Sequence, residues 1–185
     1  MNKLVVLVTI VVVSIAMAGC GGSDGEEPTA ASQVPFDRAF IDAMVPHHRE
    51  AIEMAKSAET RGLTALDLNE IASDIVASQQ REIDDMLGWR QQWYGSRAVG
   101  PIQPEVLGVP ENELGMKHGS ADEVAGAIDV DATFAALMTA HHKGAIAMAE
   151  AARHRAEREE IQNLAAEIID AQEREIGIME EHASE

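Results

Sequence analysis

Two histidine pairs, each set among methionines, are the residues of this chain whose types and spacing could do chemistry. Phe40-Ile41-Asp42-Ala43-Met44-Val45-Pro46-His47-His48-Arg49-Glu50-Ala51-Ile52-Glu53-Met54-Ala55 returns 94 positions later as Phe134-Ala135-Ala136-Leu137-Met138-Thr139-Ala140-His141-His142-Lys143-Gly144-Ala145-Ile146-Ala147-Met148-Ala149. The Phe, Met, His pair, Ala-Ile and Met-Ala are kept, and Asp37 matches Asp131, while the charges between them change. Imidazole and thioether form a soft to borderline ligand set that suits Cu(I), or Cu(II) through the imidazoles, far better than Mg²⁺ or Ca²⁺. Adjacent residues on a helix project about 100° apart, so one doublet does not easily chelate one ion face-on. His47 and His141 are therefore expected along an apolar seam, with His48 and His142 reaching sideways to a neighbouring helix or the surface. Against this stands a plainer reading, in which methionines at helical spacing fill a core and histidines are hydrogen-bonded structure. Six of the seven methionines beyond residue 17, and four of the seven histidines, occupy repeat-matched positions. That pattern favours a site, although a duplicated hairpin repeats its core too.

The elements that must carry these residues are helices. Phe40, Met44, His47, Ala51, Met54 and Ala58 form a seam with spacings of 4, 3, 4, 3 and 4. Ile41, Val45, His48, Ile52 and Ala55 lie beside it, and Asp42, Arg49, Glu53 and Lys56 are placed on the far side. The expected helix runs from about Phe36 to Glu59 and ends near Gly62, with Pro46 bending or loosening the turn before the His pair. A second helix is expected from about Leu63 to Tyr94. Its stretch Ile71 to Met86 recurs as Leu164 to Met179 at an offset of 93, which makes the second hairpin turn one residue tighter. Gln79/Gln172, Glu82/Glu175 and Met86/Met179 are the polar and thioether positions kept there. With hairpins folded near Arg61-Gly62 and near residue 155, Met44 is expected level with Gln79 and Met138 with Gln172. Glu82 and Glu175 read as ligands, as partners that orient the histidines, or as solvated surface. Trp89, Trp93 and Tyr94 read as an aromatic plug at the end of the first hairpin, and His154 as a helix C-terminal cap. The fold class is all-α: a four-helix bundle of two repeated αα-hairpins (36–94 and 122–183) joined by a Pro- and Gly-rich crossover (95–121). A homodimer that exchanges hairpins is the alternative. In the crossover, Met116 and His118 could close over a site as a clip or simply belong to a surface loop.

Upstream, Lys3 and the apolar run Leu4–Ala16 followed by Met17-Ala18-Gly19-Cys20 read as a signal peptide (1–19), too short for a transmembrane span. Cys20 is the only cysteine, so it forms no internal disulfide, and its place resembles a lipobox. Acylation there would anchor the chain to a membrane without crossing it, through a flexible tether over 20–35; simple secretion or an uncleaved anchor is the alternative. A net charge of −18 excludes nucleic acid and anionic lipid as partners.

The spacing Phe-x3-Met-x2-His-His-x2-Ala-Ile-x-Met-Ala, followed by Ile-x3-Gln-x2-Glu-Ile-x2-Met, resembles the ferritin-like DUF305 family, which includes CopM-type secreted copper-binding proteins. The resemblance spans about Asp37 to His182. It implies an all-helical bundle outside the cytoplasm that binds copper, or silver, through Met44, His47, His48 and Met54 and through Met138, His141, His142 and Met148. Met86, Met179, Met116 and His118 follow as further candidates.

The leading expectation is a copper-binding lipoprotein that buffers or sequesters metal at the cell envelope without turnover. A metal-free interaction module on a lipid anchor is the competing class. A di-iron oxidase wants four inward carboxylates with Glu-x-x-His pairs, and the repeats supply only Glu82 and Glu175. No Ser or Cys nucleophile motif accompanies the histidines, which argues against a hydrolase.

Overall fold

A computed structural model describes residues 34–116 and 119–183. The elements are α1 (Phe36–Arg61), α2 (Leu66–Tyr94), α3 (Pro104–Leu107), a 3-10 turn at Glu111–Glu113, α4 (Ser120–Gly126), α5 (Val130–Arg155) and α6 (Glu159–His182). No strand occurs among the described residues. The protein is an all-α bundle of two long helical hairpins, α1/α2 and α5/α6. The inner helices α1 and α5 pack on each other, and α4 lies against both.

Sequence chemistry sets the ends of these helices. Gly62 turns the chain out of α1 with φ 89°, and its N–H reaches Ala58 O. Gly95 closes α2 in the left-handed region, with its N–H on Gln91 O. The second hairpin turn, 156–158, is one residue shorter than the first, 62–65, as the change in repeat offset requires. Residues 120–126 form the separate helix α4, so the second long hairpin begins only at Val130. Trp89 and Trp93 stack with centroids 5.6 Å apart, Trp93 meets Tyr94 edge-on, and the Arg158 guanidinium sits 4.2 Å above Trp93. His154 lies in the last turn of α5 and is exposed, 4.0 Å from Glu150.

The residues at the starts of α2 and α6, Ala65 and Arg158, provide no side-chain cap of their own. A carboxylate from the opposite hairpin does so. Asp131 accepts the N–H groups of Thr64 and Ala65, each at 2.9 Å, and the Thr64 hydroxyl. Asp37 accepts the N–H groups of Glu157 at 3.0 Å and Arg158 at 3.2 Å. Thr64 and Ala65 are the repeat counterparts of Glu157 and Arg158, so the two hairpins cap each other reciprocally, as a two-fold relation between them requires.

The core divides into two clusters. Along α1, Ala39, Phe40, Ile41, Ala43, Met44 and Val45 belong to the first, and Ala51, Met54, Ala55 and Ala58 to the second, Ile52 apart. Along α5 the order reverses: Phe134, Ala135 and Met138 lie in the second cluster, and Ala145, Met148, Ala149 and Ala152 in the first. Both helices change cluster at their His pair. A polar layer therefore crosses the bundle where α1 and α5 meet.

Two expectations about these helices are corrected. Asp42 is not on the solvent side. It is 1% exposed and forms a buried ion pair with Arg90, Nε to Oδ1 at 2.6 Å, while Arg90 also donates to Ser96 O at 2.7 Å. Nor is Met44 level with Gln79. His48 meets Glu82 and His142 meets Glu175, so counting back along α1 or α5 and forward along the partner helix puts Met44 level with Met86 and Met138 with Met179. That is about two turns from the expected register.

Candidate metal centre

Four histidines form the polar layer, and the exposure of each is 1% or less. The rings of His47 and His141 lie face to face with centroids 3.7 Å apart, tilted by 39°. Each comes from the same position of its repeat. His48 and His142 point away from this contact, across to the outer helices. The Nε2 atom of His48 donates to Glu82 Oε2, and that of His142 to Glu175 Oε2, both at 2.6 Å. The carboxylates are thus more than solvated surface. Each holds one imidazole in a fixed orientation, the arrangement by which carboxylates set the tautomer and raise the basicity of ligating histidines.

His47 donates from Nε2 to Leu114 O at 2.9 Å. A carbonyl only accepts, so Nε2 carries the proton and Nδ1 is left with the lone pair. Burial holds the His47 imidazole well below its ordinary range, helped by the charges of His48 and His142, and the Leu114 and His141 carbonyls oppose this weakly. For His141 burial again comes first, then His47, His142 and His48. Both are therefore neutral at pH 7, the form in which imidazole offers a lone pair. Nδ1 of all four histidines, and Nε2 of His141, are buried without a hydrogen-bond partner. The Oε1 atoms of Gln79 and Gln172 share that condition. A buried polar atom left unpaired costs about 1–3 kcal/mol, and folding alone gives no reason to collect five such nitrogens in one layer.

The methionines flank this layer as two sets, each drawn from both hairpins. Met44 and Met86 of the first hairpin share a cluster with Met148 of the second, while Met138 and Met179 share one with Met54. All six are essentially buried. Met116, half-buried, packs against the first cluster. His118 and Cys20 lie outside the described residues. Among the described residues no three His, Cys, Asp or Glu side chains are grouped to hold a metal ion. The buried thioethers are soft donors, the kind that suits a soft cation. His182 is engaged elsewhere, 3.0 Å from Asp67 of α2. Sequence reasoning placed Met116 and His118 of the crossover as a clip over the site but missed the backbone contact of Leu114 and Gly115 with this layer. Leu114 O and Gly115 lie directly on α5, and a Cβ on Gly144 would fall 2.0 Å from Leu114 O. The visible signal was the glycine at position 144 where the first repeat has Glu50.

The family model described as "Domain of unknown function (DUF305)" matches residues 37–183, with a second, overlapping match over 17–66. The chain belongs to the DUF305 family. CopM, solved in a Cu(I)-bound form, is 32% identical with a TM-score of 0.62, and the match covers 78% of this chain and 93% of that one. CopM is also solved in Cu(II)-bound and Ag-bound forms, which match equally well. A DUF305 protein from Streptomyces coelicolor, described as a candidate secreted protein, shares the fold at 24% identity and a TM-score of 0.70, covering 78% of this chain and 90% of its own. No curated protein matches. No helix among the described residues is long and apolar enough to cross a membrane.

Proposed function

We propose that this DUF305 protein binds copper outside the cytoplasm and buffers or sequesters it at the cell envelope, without turnover. One observation carries the reading: repeat-equivalent imidazoles meet at 3.7 Å in a buried layer with five unpartnered nitrogens. The methionines on either side supply soft sulfur. The ligands would come from His47, His141, His48 and His142, fewer than three of them at any one ion, with thioethers from Met44, Met86 and Met148 or from Met138, Met179 and Met54. Glu82 and Glu175 keep the outer imidazoles oriented. The likeness to CopM, a protein solved with Cu(I), Cu(II) and Ag, supports copper as the cargo and silver as its surrogate.

Turnover is left out because an oxidase centre needs several carboxylates around two metals, and Glu82 and Glu175 each serve a separate histidine. Acylation of Cys20 would keep the protein at the membrane surface.

The test is a Cu(I) titration of the intact protein against a competing chelator, with Cu(II) and Zn²⁺ alongside. Tight Cu(I) binding that His47→Ala with His141→Ala abolishes is the expected result. Binding no tighter than to an acidic control protein would leave a metal-free interaction module as the better reading.

A further inference from the structure

Cargo bound in a layer of buried histidines needs a way in, and the two repeats differ beside that layer at positions 50 and 144. At position 144 of the second repeat the crossover backbone seals the layer. Leu114 O lies against Gly144 and accepts a hydrogen bond from His47 Nε2–H. At the matching position of the first repeat stands Glu50. Its Oε2 lies 4.0 Å from Nε2 of His141, a nitrogen without a hydrogen-bond partner on a side chain only 2% exposed. Its Oε1 accepts from Ser120 Oγ at 3.4 Å.

Glu50 also lines a pocket of about 750 Å³ between α1 and the crossover. Glu53, Glu105, Glu111 and Asp122 stand on the same walls with the thioether of Met116, and among the described residues that line it Arg49 is the opposing charge. We propose that this acidic pocket is the port through which a soft metal cation reaches the buried imidazoles, with Glu50 passing it to His141 Nε2. This rests on the metal-binding reading above. A cleft lined by one sign of charge concentrates counter-ions and speeds their arrival, and a thioether at its wall favours soft cations over Na⁺ or Mg²⁺. The hand-over is a ligand exchange: a carboxylate oxygen leaves the ion as an imidazole lone pair joins it, and the oxidation state does not change.

A port speeds arrival and departure together, so its signature is kinetic. The experiment is stopped-flow loading of the intact protein with Ag(I), which is redox-inert, in wild type and Glu50→Gln, with equilibrium affinity measured by chelator competition. The substitution keeps the shape and an acceptor for Ser120. Loading is expected to slow by about tenfold or more and to lose much of its dependence on ionic strength, while Kd moves by less than about threefold. The pair Glu53→Gln with Glu111→Gln, on the pocket walls, is expected to slow loading in the same direction and guards against misfolding of the first variant. Unchanged loading in both variants overturns the port and leaves metal binding intact. Affinity lost in step with rate makes Glu50 a ligand and also overturns it. Absence of Ag(I) and Cu(I) binding by the wild type removes both readings.

Discussion

Asp37 and Asp131 each cap a helix in the hairpin to which the other belongs. The carboxylate of Asp131, at the start of α5, receives the N–H groups before α2, and that of Asp37, at the start of α1, those before α6. The sequence repeat preserves these two residues because each satisfies backbone donors that its partner hairpin cannot satisfy locally. The two differ in environment. Burial pushes the Asp37 carboxyl above its ordinary range despite the N–H groups it accepts. Partial burial pushes Asp131 the same way, but the Thr64 hydroxyl and the N–H groups of Thr64 and Ala65 outweigh it and hold the carboxyl low.

Removing either cap should destabilise the bundle without touching the histidines. Asp37→Ala and Asp131→Ala are each expected to cost about 1–2 kcal/mol. The two sites lie at opposite ends of α1, about 39 Å apart along a 26-residue helix, so the double variant should lose the sum. Urea denaturation measures all three. A double variant no less stable than either single one would deny the reciprocal capping.

The carboxylates behind the outer histidines should tune affinity and leave the fold alone. Glu82→Gln and Glu175→Gln are each expected to weaken Cu(I) binding by about 10–100-fold, with an unchanged circular dichroism spectrum. Equal affinity in the variants would reduce the 2.6 Å contacts to structural hydrogen bonds.

Acid should unfold the metal-free protein earlier than carboxylate titration alone predicts. His47 and His141 have folded-state pKa values well below the ordinary 6.5. The unfolded chain therefore takes up protons that the folded one refuses once pH drops below 6.5. Their stabilisation is complete above that value and is lost as pH falls toward the folded pKa, at about 1.4 kcal/mol per pH unit for each group. Tm measured between pH 7.5 and 5 should fall steeply in wild type and less so in His47→Gln with His141→Gln. Parallel curves would show that these imidazoles do not govern the acid limb.

Two glycines in the second hairpin should respond in opposite directions. Gly144→Ala drives a Cβ to 2.0 Å from Leu114 O and 2.6 Å from Gly115 N, so the crossover must lift and His47 loses its carbonyl partner; a loss of about 1–3 kcal/mol is expected. Gly177→Ala, on the exposed face of α6 with nothing within 4 Å of the new methyl group, should gain about 0.5–1 kcal/mol. Thermal melts of the two variants check the pair.

The helices, their hairpin order and the splayed histidine doublets were legible in the sequence because hydrophobic period fixes the rotational phase of a helix about its own axis. Period says nothing of how far one helix slides along another. That is why Met44 was matched to Gln79 rather than Met86: the later start of α2, at Leu66 after a four-residue turn instead of at Leu63, accounts for part of the shift, and the sliding of α1 along α2 for the rest. Asp42 was misplaced for a related reason. Its burial depends on Arg90, 48 residues away, and a lone acid on a helix otherwise reads as surface. The exchange of Met54 and Met148 between clusters was equally hidden, since it depends on α1 and α5 running in opposite senses through the core. The short helix α4 and the seating of Leu114 on Gly144 belong to the crossover, which has no repeat to be read against.

The reciprocal caps and the like-on-like histidine contact have one more consequence. A lone hairpin of this type presents a self-complementary face, so two separate copies would meet through the isologous interface of a symmetric dimer. The crossover ties those two faces into one polypeptide and replaces a second-order encounter with an effective concentration in the millimolar range. Assembly of the histidine layer is thereby freed from protein abundance, and it is as complete in one molecule as in a thousand.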